Sequence, residues 1–340
     1  MELKTLHKND ADIFVGFAES RIGGRPENQD SYGYKETSLG FLLTVCDGMG
    51  GGPGGKTASS IAVQEIITGV DEANEDEEVA NIIIKAIRRA NMAVIEAGNE
   101  NPSLQGMGST ATVLLLSEKS AFVAHVGDSR VYQIRGGKKI FRTYDHSMVF
   151  ELVKQKVITE EQARLSAQSN VITRALGMLP DLEVDIVERP YIKGDRFVLC
   201  SDGIHGAMPE KELLKMLKNR KMSLGALVDD IATYVDNLGR SNGGNHDNMT
   251  IAIVETKNNS KLKTKMSKFA RKTILILSVL CAASLILNIV QSCETHETPC
   301  PIDTTETGQM QKQISQQEDV IKTLKDSIEV LNKKINENNK

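Results

Sequence analysis

Tryptophan is missing from the 340 residues, and Phe, Tyr and Trp together make only 4%. That shortage excludes stacking platforms for single-stranded nucleic acid, which rely on aromatic faces. A charge excess of one sign is also lacking. Against 41 Lys and Arg stand 45 Asp and Glu, a formal net charge of -4, so no basic field points to nucleic acid. The five cysteines are scattered, and no Cys-x-x-Cys spacing suggests structural zinc. Cys46 and Cys200 lie in apolar, strand-like runs and read as small buried hydrophobes. The stretch Met1-Glu2-Leu3-Lys4-Thr5 has no apolar core, so no secretory signal peptide is expected there. What remains, 40% hydrophobic and 25% charged, is an ordinary globular composition, enough for one large domain or two small ones.

The stretch that organises the chain is Thr44-Val45-Cys46-Asp47-Gly48-Met49-Gly50-Gly51-Gly52. The apolar run 41–46 reads as a buried strand. It ends in a single carboxylate, Asp47, and then in glycines, which let a backbone fold back close to an ion or a phosphate. A charge at the end of a buried strand is costly unless it is paired. A divalent cation is a natural partner, because hard cations prefer carboxylate and carbonyl oxygens. Taken alone, the stretch reads equally as a capped strand leading to a helix from about Lys56.

Strand-like and helix-like stretches alternate over residues 1–257. Strands are expected at 13–18, 41–47, 109–117, 121–126, 131–134, 139–143, 183–188, 196–200 and 249–255, with a loop at 21–30. Apolar spacings of three and four predict amphipathic helices at 58–70 and 77–97. One or two short helices are expected within 147–164, with Thr159-Glu160-Glu161-Gln162 as a start signal, and further helices at 209–218 and 224–238. Consecutive strands parted by Gly, Asp and Ser imply hairpins, and the order favours α+β with antiparallel sheets over a parallel βαβ series.

Beyond residue 257 the composition changes. Residues 258–272 form a basic segment carrying Lys261, Lys263, Lys265, Lys268, Arg271 and Lys272. Residues 273–290, TILILSVLCAASLILNIV, are free of charge and are expected to form a transmembrane helix. The basic flank lies on the N-terminal side, which places residues 1–272 in the cytoplasm and the tail outside it. The basic cluster also suits anionic headgroups. Residues 291–309 read as a linker. Its Cys293 and Cys300 would face the non-reducing side, where a disulfide within or between chains is open. Over 310–340, Ile314, Ile321, Ile328 and Ile335 recur at heptad spacing with Leu324 and Leu331 between them. That pattern suits a parallel two-stranded coiled coil and hence a homodimer, with a frayed amphipathic helix as the alternative.

Within the first 257 residues, aspartates recur beside Gly, Ser or Asn at strand ends: Asp30, Asp47, Asp128, Asp202 and Asp247. Each alone suits a turn. Four or five such carboxylates converging on one place would repel one another unless cations filled the gap. Oxygen ligands without a His or Cys cluster favour Mg²⁺ or Mn²⁺ over Zn²⁺.

In order along the chain these residues spell G-x-R-x-x-x-x-D (Gly23, Arg25, Asp30), D-G-x-G (Asp47), G-D-S-R (Asp128), S-D-G (Asp202) and D-N-M-T (Asp247). The set resembles the metal-dependent PP2C (PPM) protein Ser/Thr phosphatases over about residues 10–257. Asp145-His146-Ser147 and the run from Asn170 to Gly177 look like the bacterial branch. The resemblance implies an α-β-β-α sandwich, two antiparallel sheets flanked by helices, and activity on phosphoserine and phosphothreonine in proteins. It implies that Asp47 bridges two Mn²⁺ or Mg²⁺ ions, that the Gly48 carbonyl is a ligand, and that Asp202 and Asp247 complete the binuclear site. Asp128 would hold a third, weaker ion with Asp202. Arg25 would grip the substrate phosphate and Asp30 would hold metal-bound water. Residues 148–170 would form the flap beside the site.

Two departures from the eukaryotic pattern stand out. Gln29 replaces a Glu, and Met49 replaces the His proposed as general acid. Bacterial relatives share the second change, so it does not mark a dead enzyme, but it leaves the proton donor open between a metal-bound water and His146, whose reading is mainly structural. The chemistry expected is attack in line on phosphorus by a hydroxide that two cations make available near neutral pH. Arg25 would offer bidentate donors to the phosphoryl oxygens. The leading expectation is a membrane-anchored protein Ser/Thr phosphatase acting on targets of a Ser/Thr kinase. Dephosphorylation of one regulator in a partner-switching pathway, or a non-catalytic phosphatase-like scaffold, are the alternatives.

Overall fold

The strand β1 (Lys4–His7) and its neighbour β2 (Phe14–Arg21) lead through a loop to β3 (Ser31–Thr37), β4 (Gly40–Cys46) and the two-residue β5 (Gly48–Met49). Two long helices follow, α1 (Gly54–Asp71) and α2 (Val79–Glu100). Five strands come next: β6 (Gly108–Ser109), β7 (Ala111–Leu116), β8 (Ala121–Val126), β9 (Arg130–Arg135) and β10 (Lys138–Arg142). Short helices α3 (Met148–Lys154) and α4 (Glu160–Arg164) precede β11 (Asp185–Arg189) and β12 (Arg196–Cys200). The one-turn α5 (Asp202–His205), then α6 (Glu210–Leu217) and α7 (Leu224–Ser241), lead to β13 (Met249–Thr256). This computed structural model describes residues 4–7, 13–50 and 54–262. The uncharged run 273–290, Cys293, Cys300, the heptads and Gly51-Gly52 lie outside the described residues, as does the basic segment from Lys263 onward. Among the described residues no helix is long and apolar enough to cross a membrane.

The strands form two main antiparallel sheets, ordered β1-β2-β13-β12-β9-β10 and β11-β8-β7-β4-β3. The pattern of β4 explains why they stack. Phe41, Leu43 and Val45 face the other sheet and meet Phe14, Val131, Phe197, Leu199 and Val254. Leu42 and Cys46 face the opposite way, onto Ala62, Ile66, Ile83 and Ile87 of α1 and α2. A strand covered on both faces reads as a continuous apolar run rather than an alternating one. The first sheet is covered in turn by α6 and α7, whose Leu213, Leu227 and Ile231 pack on Val198 and Ile251. Helix, sheet, sheet and helix therefore form four layers, as the family resemblance implied, and the sheets are antiparallel, as the α+β reading expected.

The expected elements recur with small shifts at their ends. The helix expected from about residue 58 begins at Gly54. The start signal at Thr159 is a capping box closed by Gln162. Three features were not anticipated. β3, Ser-Tyr-Gly-Tyr-Lys-Glu-Thr, is an edge strand too polar for a hydrophobic signal, yet it pairs along its whole length with β4. β1 also lies at a sheet edge. α5 is a single turn, too short for a periodic pattern.

Register fixes where the aspartate-bearing ends fall. Cys200 lies opposite both Ile251 and Arg130. Met249 lies opposite Arg21. Ala111 lies opposite Val126. The strand ends that carry the aspartates therefore lie at one end of the sheets. At the far end, Lys257 N–H donates to Ile13 O, Ser260 N–H to Tyr191 O, and Leu262 N–H to Lys119 O.

Candidate active site

Asp47 follows the last residue of β4, and its backbone is pinned on both sides. Its N–H donates to Thr110 Oγ1 at 2.9 Å. Its carbonyl accepts from Thr110 N at 2.8 Å and from Ser109 Oγ at 3.1 Å. Thr110 Oγ1 lies 2.8 Å from Ser129 Oγ, so the end of β4 is tied to the loop that carries Asp128. Hydroxyls at the ends of apolar strands satisfy buried backbone groups that would otherwise be orphaned.

Asp202 heads α5, and Asp247 stands just before β13. Between them lies Asp30, buried, whose Oδ2 accepts from Ser201 Oγ at 2.8 Å and Thr250 Oγ1 at 2.7 Å. Asn248 spends its whole amide on the loop after β2. Its Oδ1 accepts from Gln29 N at 2.9 Å, and its Nδ2 donates to Ile22 O at 2.8 Å and Glu27 O at 2.9 Å. That clamp brings Arg25 over the cluster, with Nη2 donating to Asp247 Oδ2 at 3.0 Å. Glycine permits the approach at Gly203, where a Cβ would lie 1.9 Å from Asn248 O.

Arg25, Gln29, Asp47, Gly48, Met49, Asp128, Asp202, Asp247 and Asn248 line one cleft of about 410 Å³. Six of the seven residues singled out from the sequence wall it directly. Asp30, the seventh, sits behind it. The electrostatics are those of crowded, buried carboxylates that outnumber the one guanidinium lining the cleft, Arg25. Burial, then Asp30, Asp202 and Asp128, hold the Asp47 carboxyl well above the usual range. Burial, then Asp202 and Asp145, raise Asp128. Burial, then Asp247, raise Asp202 to about 6. Asp30 is pushed to about 7 by burial, against the hydroxyl bonds from Thr250 and Ser201, with Asp202 and Asp247 adding to the rise.

This donor set fits divalent cations. Asp30 Oδ1 and Asp128 Oδ1 are buried oxygens with no hydrogen-bond donor. All the side-chain donors are hard oxygens, as Mg²⁺ and Mn²⁺ require. Gly48 leaves its carbonyl in a cradle that a side chain would fill, since a Cβ there would lie 2.0 Å from Gly55 O. His125, His146 and Asp185 also bring ligand atoms within 4.8 Å of one another. That cluster already has its cation, because Arg174 Nη1 lies 2.9 Å from Asp185 Oδ1 and 3.2 Å from His146 Nε2.

A second cavity of about 240 Å³ adjoins the cleft beneath α3 and α4, sharing Asp128, Asn170, Asp202 and Asp247 with it. Its wall includes Arg130 and Asp145, a buried bidentate pair at 2.7 and 2.6 Å. Burial alone would raise Asp145, and Arg130 outweighs it, so its carboxyl stays below the usual range. His146 lies outside the cleft, where Gly127 N–H donates to its Nδ1 at 3.1 Å. The sequence reading gave no role to Ser201, Asn248 and Thr250, which stand inside the quoted motifs, and passed over Thr110. The signal was there: polar side chains set at the ends of apolar strands, beside the aspartates.

Comparison with known proteins gives the family. The family model for protein phosphatase 2C matches residues 19–246. The serine/threonine phosphatase stp of Listeria innocua is 31% identical over 235 residues, 68% of this chain and 91% of that protein. The Mycobacterium tuberculosis serine/threonine protein phosphatase PstP is 31% identical over 219 residues, 63% of this chain and 40% of that protein. Among solved structures, serine/threonine phosphatase Stp1 from Staphylococcus aureus superposes with a TM-score of 0.66 at 28% identity, covering 73% of this chain and 97% of that one. The catalytic domain of PstP in complex with two manganese ions superposes at 0.58 and 29% identity, covering 72% of this chain and 99% of that one.

Proposed function

The chain belongs to the protein phosphatase 2C family and is a protein serine/threonine phosphatase, and from that premise we propose that it is a membrane-anchored enzyme that hydrolyses phosphoserine and phosphothreonine at a binuclear Mn²⁺ or Mg²⁺ centre. The observation that carries this reading is the meeting of Asp47, Asp128, Asp202 and Asp247 in one cleft with a bare, buried Asp128 oxygen. Asp47 and the Gly48 carbonyl, with Asp202 and Asp247, would hold two ions, and Asp128 with Asp202 a third, weaker one. The PstP structure with two manganese ions supports the pair. When bound, the ions supply Lewis acidity that makes water acidic enough to ionise near neutral pH.

The side chains account for the remaining tasks. Arg25 stands half exposed at the mouth, where its planar fork can orient a phosphoryl group by two parallel hydrogen bonds. Asp30, held by Ser201 and Thr250, keeps Oδ1 free to accept from water. Met49 lines the cleft and has no proton to give the leaving alkoxide. His146 is engaged with Gly127 outside the cleft, and so serves the structure. The substrate class is phosphorylated protein, matching targets of a Ser/Thr kinase. The uncharged run 273–290 after a basic flank supports a single-pass anchor with residues 1–272 in the cytoplasm and the tail outside. The heptads at 314–335 support a homodimer.

The test is phosphate release from phosphoserine and phosphothreonine peptides by the purified chain with Mn²⁺. Activity is expected to stop with EDTA and to fall at least ~100-fold in Asp47→Asn. Full activity in Asp47→Asn would remove the binuclear reading. Failure to bind Mn²⁺ by calorimetry would favour the scaffold alternative instead.

A further inference from the structure

The run Asn170 to Gly177 is a strap beside the site, and its Asn170 and Ile172 line the cleft. Met148 N–H donates to Val171 O and Thr173 N–H to His146 O, which ties the strap to the base of α3. Leu176 exchanges two backbone bonds with Ser109, whose hydroxyl reaches Asp47 O. Gly177 closes the strap at φ +87, with its N–H donating to Asn91 Oδ1.

Arg174 lies at the middle of the strap. Its Nη1 donates to Asp185 Oδ1 at 2.9 Å and its Nη2 to Glu183 Oε2 at 2.7 Å. Nη1 also lies 3.2 Å from His146 Nε2. His146 is buried, stacked on His125 at 4.5 Å, and its other nitrogen accepts the Gly127 N–H. His146 N–H donates to Gly127 O at 3.0 Å, so both backbone groups of Gly127 are held by one residue. Burial, with His125 and Arg174 beside it, lowers the His146 pKa to about 4, so the ring is neutral at pH 7, Nδ1 accepts, and Nε2 carries the proton and faces Asp185 Oδ2 at 3.4 Å. Gly127 has φ +99 and packs against Thr110, and the next residue is Asp128.

We propose that Arg174 is a positioning residue: by holding Asp185 against the His146 ring it sets the Gly127–Asp128 backbone, and so sets the affinity of the weakest cation position. The proposal rests on the reading of Asp128 as a cation ligand. Partners that orient a ligand without touching the ion change metal affinity by roughly 10- to 100-fold when lost. Arg174 suits the task because a planar fork with several donors can hold Glu183 and Asp185 in one arrangement, which a point charge cannot.

The experiment is calorimetric titration of the full chain with Mn²⁺, alongside melting temperature, for wild type, Arg174→Met, Arg174→Lys, His146→Asn, His146→Asn with Arg174→Met, and Asp128→Asn. Arg174→Met is expected to weaken the weakest Mn²⁺ step about 10-fold and leave the two tighter steps in place, with Arg174→Lys in between. His146→Asn keeps an acceptor for the Gly127 amide but cuts the link to Arg174. In that background Arg174→Met should therefore change the weakest step no further. A lower melting temperature with an unchanged Mn²⁺ titration would make Arg174 merely structural and overturn the proposal. So would an Arg174→Met effect that persists undiminished in His146→Asn. An unaltered weakest step in Asp128→Asn would remove the Asp128 reading itself, and this proposal with it.

Discussion

Asn248 shows what a single side chain does when every polar atom is committed. One amide accepts one backbone N–H and donates to two carbonyls of the loop that carries Arg25. Asn248→Ala should lower unfolding free energy by about 2–3 kcal/mol, near 1 kcal/mol per bond lost, in urea denaturation. It should also lower kcat/KM at least ~10-fold through misplacement of Arg25, while Asp47→Asn lowers kcat without loss of stability. The aspartates were legible from the sequence because a carboxylate at the end of an apolar run demands a partner. Their supports were not, because Ser201, Thr250 and Asn248 look like ordinary turn and strand residues until the register puts them beside Asp30 and the Arg25 loop. Gly48 was legible only through the family resemblance. Its physical reason, the Gly55 carbonyl 2.0 Å from where a Cβ would go, belongs to tertiary structure.

At the scale of elements, the ends of β4, β12 and β13 concentrate negative charge, and that makes folding and cation binding share protons. Asp202 has its carboxyl raised by burial to about 6. The folded chain without cations therefore holds more protons than the unfolded one between about pH 4 and 6. That contribution to stability is complete below the unfolded carboxylate range and is lost as pH rises through the folded value. Cations displace those protons. The gain in melting temperature on adding Mn²⁺ should thus be larger at pH 8 than at pH 5.5, as differential scanning calorimetry can measure. A second element-level prediction concerns the segment leading into α3, where Arg130 on β9 meets Asp145. Asp145→Asn leaves a buried guanidinium without its counter-charge and should cost about 3 kcal/mol or more of stability, measured by chemical denaturation. Long elements were legible because β4 and α2 bury whole faces. The edge strand β3 was not, because its pairing with β4 comes from backbone hydrogen bonds rather than from an apolar pattern.

For the whole molecule, the proposed anchor predicts that the full chain partitions with membranes. A chain ending after Leu262 should be soluble and keep its phosphatase activity, because the last backbone pairings, Ser260 to Tyr191 and Leu262 to Lys119, would be intact. Sedimentation of membranes followed by activity assay of both fractions checks this. Equal recovery of the full chain in the soluble fraction would count against the anchor. The position of that exit has its own consequence. β13 runs eight residues from the cleft to the far end of the sheet, a span of roughly 25 Å at about 3.3 Å per residue. The cleft and Leu262, the last described residue, therefore sit at opposite ends of the sheet, and the proposed anchor would follow from the end remote from the chemistry. A tethered enzyme of this build would reach phosphates carried on tails and domains that extend towards it. Phosphates lying flush with the point of attachment would be out of its reach.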